Sequence, residues 1–150
     1  NLGNLYYDKG EHAKAEEYYW RAVSVEDAFP QPHYNLGSIL FARNDIRGAV
    51  VEFEKAIEID PFFPHAYEGL AVIYAQQGEL VKTREMLRKV IELRPDNPRG
   101  YYNLARVELV MKNAQDGINL LLKGWSLSGN DPEVRGLIRE LLRRLGVNMN

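Results

Sequence analysis

Residues 64–97 read PHAYEGLAVIYAQQGELVKTREMLRKVIELRPDN. Tyr67, Leu70, Ala71 and Tyr74 follow the i, i+3, i+4, i+7 spacing of one helix face. Thr83, Leu87, Val90 and Ile91 form a second stripe of the same kind. Gly78, between the two, is a residue type that accepts a left-handed backbone and ends a helix. Pro95 stops the second helix and opens the next unit. The stretch therefore predicts two amphipathic helices, near 65–77 and 80–93, that pack face to face across a tight turn.

The rest of the chain repeats this text. Leu2-Gly3, Leu36-Gly37, Leu70-Ala71 and Leu104-Ala105 lie 34 residues apart. The same step links Leu5, Ile39, Ile73 and Val107, then Tyr19, Phe53, Leu87 and Leu121, then Val25, Ile59, Leu93 and Leu127. Gly10, Asn44 and Gly78 share the turn column, and Ala49, Phe53, Ala56 and Ile57 repeat the facing stripe. Such a period marks stacked helical units that bury a continuous core between neighbours.

A 34-residue helix-turn-helix period with these Leu-Gly, Tyr, Ala, aromatic and Pro columns resembles the tetratricopeptide repeat, or TPR. The resemblance runs to about Asp131. It implies an all-α, right-handed superhelical solenoid, read as one TPR domain with a truncated repeat at 1–29, repeats at 30–63 and 64–97, a degenerate repeat at 98–131 and a capping helix at 132–146.

Composition agrees with this class. At 150 residues, 45% apolar and 27% charged, the chain is ordinary for a soluble globular protein. A formal charge of −2 gives no electrostatic case for nucleic acid. Without cysteine there are no disulfides, thiolate chemistry or Cys-rich zinc sites, and the redox compartment stays open. No apolar run is long enough for membrane insertion, and no signal-peptide pattern opens the chain. The chain starts at Asn1 inside a repeat, which reads as a fragment or a processed form.

Departures from the pattern carry their own expectations. Helices are expected near 1–9, 12–25, 33–42 and 46–59. In the link 26–32, Asp27 stands where later repeats have Pro61 and Pro95, and the prolines at 30 and 32 are expected to keep the helix from running through. In the fourth repeat, Glu108 takes the column of Tyr6 and Tyr74 and is read as paired with Lys112, which itself replaces the turn glycine, or as a site of strain, before a catalytic acid. Gly117 and Gly124 replace packing alanines, at about 1 kcal/mol of helix stability each, with Trp125 expected to fill the space. Residues 132–146 form an amphipathic helix with Val134, Leu137, Ile138, Leu141, Leu142 and Leu145 on one face and Arg135, Arg139, Glu140, Arg143 and Arg144 on the other. This reads as a cap, followed by a frayed tail at 146–150. Residues 1–29 hold six acids and three bases, and residues 132–150 hold two acids and four bases; ordinary surface variation explains the gradient before head-to-tail attraction does.

Nothing in the sequence encodes a reaction. His12, His33 and His65 have no partner at i+4 that would make a helical metal pair. His33 falls in a packing column and is expected partly buried, whereas His65 opens a helix on the groove side. Glu16-Glu17 lies on an outer face. No phosphate loop, serine nucleophile or metal motif is present, so neither an enzyme activity nor a cofactor or metal is expected.

In the TPR family the first helix of each repeat lines a concave groove. The resemblance carries that role to Asn1, Asn4, Tyr7 and Asp8, to Gln31, Tyr34, Asn35, Ser38 and Phe41, to His65, Glu68, Gly69, Val72, Ala75 and Gln76, and to Arg99, Tyr102, Asn103, Arg106 and Leu109. Chaperone-binding members hold a C-terminal carboxylate with Lys, Asn and Arg. Asn4 and Asn35 match that set, but His65 and Gly69 stand where Lys and Arg are needed. The TPR superhelix of O-GlcNAc transferase uses an asparagine ladder on a peptide backbone. Asn1, Asn35 and Asn103 match it, and Gly69 interrupts it. An asparagine side chain both donates and accepts, which suits a backbone amide. The expected partner-binding set is Asn4, Tyr7, Tyr34, Asn35, Ser38, Phe41, His65, Val72, Arg99, Tyr102, Asn103 and Arg106, with a small apolar floor at Val72 and Ala75. The function expected is a non-catalytic protein–protein interaction scaffold that binds an extended peptide or a partner helix. The alternatives are a self-assembly module that stacks through its open first repeat and a substrate-recruiting arm of a larger enzyme.

Overall fold

The computed structural model describes residues 2–25, 28–129 and 131–147. Asn1, Asp27 and the last three residues, which figured in the ladder, the link and the tail, lie outside them. Each apolar stripe becomes a helix, and the described residues contain nine helices and no strand. They are α1 (Leu2–Asp8), α2 (His12–Val25), α3 (Pro30–Ala42), α4 (Ile46–Ile59), α5 (Pro64–Gln76), α6 (Leu80–Leu93), α7 (Pro98–Val110), α8 (Ala114–Leu127) and α9 (Pro132–Arg144). They fall into two compact units, Asn1–Ile73 and Tyr74–Asn150, divided within α5.

In the first unit, α1 packs on α2, α2 on α3 and α3 on α4. Leu36, Ile39, Leu70 and Ile73 are buried there, whereas Leu2 and Leu5 of the same columns are 54% and 48% exposed. In the second unit, α6 packs on α7, α7 on α8, and α9 on both α7 and α8. Val134, Ile138 and Leu142 of α9 join Ala105 and Leu121 in one fully buried cluster. Each such side chain removed from water contributes on the order of 2 kcal/mol. Leu137 of the same helix and Leu145, just past its end, stay exposed.

The turns end as their residue types dictate. Gly10, Asn44, Gly78, Lys112 and Gly146 all have φ between 65° and 76°. Each donates its N–H three residues back, and the next residue donates five back, as Asn44 does to Phe41 (2.9 Å) and Asp45 to Leu40 (2.8 Å). This double closure satisfies carbonyls that the helix end leaves without partners. Lys112 adopts the conformation without a glycine, at a cost of about 1 kcal/mol.

Four expectations need correction. The α3 helix starts at Pro30, with Pro32 buried in its first turn, because first-turn N–H groups have no intrahelical acceptor and a proline loses nothing there. His33 is fully buried, not partly: its Nδ1 lies 2.8 Å from Oε2 of the equally buried Glu52, whose Oε1 takes Lys55 at 3.1 Å. Glu108 is also buried, and its partners are Asn113 Nδ2 at 2.7 Å and Arg88 at 3.5 Å rather than Lys112, whose backbone turns away into the left-handed region. The space beside Gly117 and Gly124 is taken by Leu109 and Ile138, not Trp125. Trp125 lies under Arg135 and Arg139, whose guanidinium carbons stand 4.3 and 5.3 Å from its ring centre.

Candidate binding site

Helix α3 places Tyr34, Ser38 and Phe41 on one face, one turn apart, and α5 places Glu68, Gly69 and Val72 on another. In the first unit these six side-chain positions, with Phe53 of α4, enclose an open pocket of about 220 Å³. Phe53 is only 3% exposed, and its ring forms the base. It reaches the pocket because two backbones beside it carry no side chain. A Cβ at Gly37 would lie 2.8 Å from the ring, and one at Gly69 would lie 2.7 Å from it.

Tyr34 is held by aromatic neighbours. Its ring centre lies 5.7 Å from those of Phe53, Phe63 and His65, at angles of 36°, 72° and 55°. His65 also packs on Phe63 at 5.2 Å, and its Nδ1 is buried with no hydrogen-bond partner among the described residues. Such tilted and edge-on pairs are the favoured aromatic geometries. Ser38 Oγ donates to the Tyr34 carbonyl at 2.9 Å.

A chain of amides runs beside the pocket. Gln31 Nε2 donates to Asn35 Oδ1 at 2.7 Å, Asn35 Nδ2 to Asn4 Oδ1 at 3.2 Å, and Tyr19 Oη to the same Asn4 oxygen at 2.7 Å. Burial, with Asp8 and Tyr7 nearby, pushes the Tyr19 phenol above its ordinary value. Tyr7 is exposed and meets the His12 ring edge-on at 5.1 Å.

The second unit holds the other expected contacts, all on α7. Arg99 pairs with Glu133 of α9 at 3.2 Å. Tyr102 is packed against the cluster formed with α9, and Arg106 lies over its ring at 5.8 Å. Asn103 is half-buried. Among the described residues there is no cluster of three potential metal ligands, and no helix is long and apolar enough to cross a membrane.

The structure thus gathers Tyr34, Ser38, Phe41 and Val72 into one pocket and Asn4 and Asn35 into one hydrogen-bond chain. It adds Phe53, Glu68 and Gly69, which are not in the expected binding set. Phe53, a member of the facing stripe, serves core and pocket alike: its ring stands at the base, and Val72 of the expected apolar floor lines the same space. The available signal was the pair of glycines, Gly37 and Gly69, in columns that flank the Phe53 column.

Known proteins agree with this architecture. Residues 1–33 and 74–141 match tetratricopeptide repeat families, and residues 37–78 match a TPR repeat family. No curated protein sequence matches significantly. Among solved structures, MamA from Desulfovibrio magneticus RS-1 is 20% identical over 98% of this chain and 83% of its own, with a TM-score of 0.79. A second MamA crystal structure is 23% identical over 88% of this chain and 72% of its own, at 0.76. The pilF protein of Pseudomonas aeruginosa is 21% identical over 97% of this chain and 66% of its own, at 0.81. Proteins of this repeat family are typically non-catalytic. Matched along its length by three models of one kind, the chain belongs to the tetratricopeptide repeat family, an all-α solenoid of helical repeats whose general role is that of a protein-interaction scaffold.

Proposed function

We propose that this protein is a non-catalytic interaction module that holds an extended peptide against the first helices of its repeats. The observation that carries the reading is the aromatic-based pocket on α3 and α5 with the Asn4–Asn35 amide chain beside it. The pocket offers desolvated area for one side chain, and Asn35 uses only part of its capacity, keeping one N–H and one lone pair for a peptide backbone. Selection from a display library of unstructured peptides tests this. Sequences that bind the wild type should be lost by Asn35→Ala combined with Phe41→Ala, at unchanged helicity. Equal retention by the variant would remove the site. Tyr102 is unsuited to such a test, because it packs on the α7–α9 core.

A second reading, self-association, has its own observation. Leu2 and Leu5 are exposed where Leu36, Leu70, Ile39 and Ile73 of the same columns are buried. An uncovered leucine face on α1 suits a helix from another copy. Light scattering over a concentration series should show association that Leu2→Glu with Leu5→Glu abolishes. A strictly monomeric wild type at high concentration rules it out.

A further inference from the structure

We infer that the pocket on α3 and α5 is a specificity subsite for an aromatic side chain carried on a basic segment of the bound protein partner. This rests on the groove reading above and adds which residue the groove selects.

The pocket has the Phe53 ring at its base because Gly69 lets that ring in. The column that holds Asn35 and Asn103 holds no side chain there, and any Cβ at Gly69 would sit within 2.9 Å of three Phe53 ring atoms. With Gly37 on its other side, the ring is wedged between two bare backbones, almost wholly buried, at the base of an open space of about 220 Å³. An apolar cavity of about 150 Å³ holds a benzene ring, so this one has room for a ring and its methylene stem. The half-buried Tyr34 ring, tilted by 36° to that of Phe53, leaves aromatic surface for a third ring to meet edge-on or offset, with the rim of Phe53 beneath it. Ser38 Oγ spends its proton on the Tyr34 carbonyl and keeps lone pairs for a phenol or indole donor.

Charge sets the flanks. Glu68 is the charged member of the lining. The unit Asn1–Ile73 carries twelve acidic and six basic side chains, a formal charge of −6. Lysine or arginine beside the aromatic anchor complements this field and speeds encounter, whereas acidic flanks oppose it.

The test is an amide NMR titration of the full chain with capped pentapeptides. Lys-Ser-Phe-Ser-Lys should give saturable shifts centred on Ser38, Phe41, Gly69 and Val72. Binding should weaken about tenfold when alanine replaces the phenylalanine. It should weaken about threefold when glutamate replaces both lysines, with that difference shrinking as salt rises. Val72 is 48% exposed, so Val72→Trp can fill the pocket without entering the core. This variant should lose the peptide at unchanged circular dichroism, and Gly69→Asn should lose it by displacing the Phe53 ring from the base. If the phenylalanine and alanine peptides bind equally, with shifts elsewhere on the α3 and α5 faces, the aromatic subsite is wrong while the groove reading stands. Tighter binding of the glutamate peptide overturns the charge assignment. If no peptide moves any amide, the subsite is overturned, and the display selection still judges the groove separately.

Discussion

Two places in the first unit are built from the same three columns and end differently. At one, Tyr19, Asn4 and Asn35 meet: the phenol and one amide both donate to Asn4, and the space is closed by hydrogen bonds. At the other, 34 residues on, the columns hold Phe53, Ser38 and Gly69. The ring has no hydroxyl and takes the place of a Cβ at Gly69, the hydroxyl of Ser38 turns back to its own helix, and a pocket lies above them. The repeat supplies a fixed frame, and the polarity and length of three side chains decide whether that frame is filled or offered to a ligand.

The contrast can be broken at several points. Phe53→Ala should cost about 3–5 kcal/mol, since it empties a core position as well as the pocket base; a urea midpoint close to wild type would show that Phe53 is not shared between core and pocket. Gly69→Asn should cost about 1–3 kcal/mol through the clash with the Phe53 ring. Adding Phe53→Leu should recover much of that loss, and strict additivity of the two changes would show that they do not touch. Tyr19→Phe should cost only about 1 kcal/mol, by removing one donor from Asn4. It makes the first place more like the second without opening it, because Asn35 remains. The smallest effect is in titration. Burial raises the Tyr19 phenol above the ordinary tyrosine value of 10.0, so the folded protein holds that proton more tightly than the unfolded chain. Its contribution to stability is therefore complete below pH 10 and declines as pH rises through the folded value. A spectrophotometric titration should show a late component that Tyr19→Phe removes.

Periodicity made the helices legible. The spans 12–25, 46–59 and 80–93 read from the apolar stripes are those of α2, α4 and α6, because a 3.6-residue period and a left-handed turn residue leave little freedom in where a helix lies. First-turn prolines misled, since exclusion from a helix interior was applied where no N–H is needed. Glu108 misled because one-turn spacing along its own helix was favoured over Arg88 on α6 and over Asn113 beyond the turn. Of the binding set, the α3 residues were legible as a stripe. Arg99 and Tyr102 were not legible as contacts of α9, since a groove stripe also meets the next helix. Phe53 was hidden for a deeper reason. Whether a core ring reaches the surface depends on what is missing from two other helices, and the helical period of α4 cannot register an absence elsewhere.

The doubly closed turns at Gly10, Asn44, Gly78, Lys112 and Gly146 also bear on how the chain acquires its fold. The first four join helices that are neighbours in sequence, so α3–α4 and α7–α8 can pair with short loop closures and low contact order, the regime of microsecond-to-millisecond folding. Opening should follow the same grain. Amide exchange should be slowest in α3, α4, α7 and α8, whose columns are covered, and fastest in α1, where Leu2 and Leu5 are exposed. The helix that frays first is then also the one that supplies Asn4 to the amide chain beside the pocket. Ligand held along that chain would register as slowed exchange in α1, a kinetic signature of occupancy at a distance from the aromatic base.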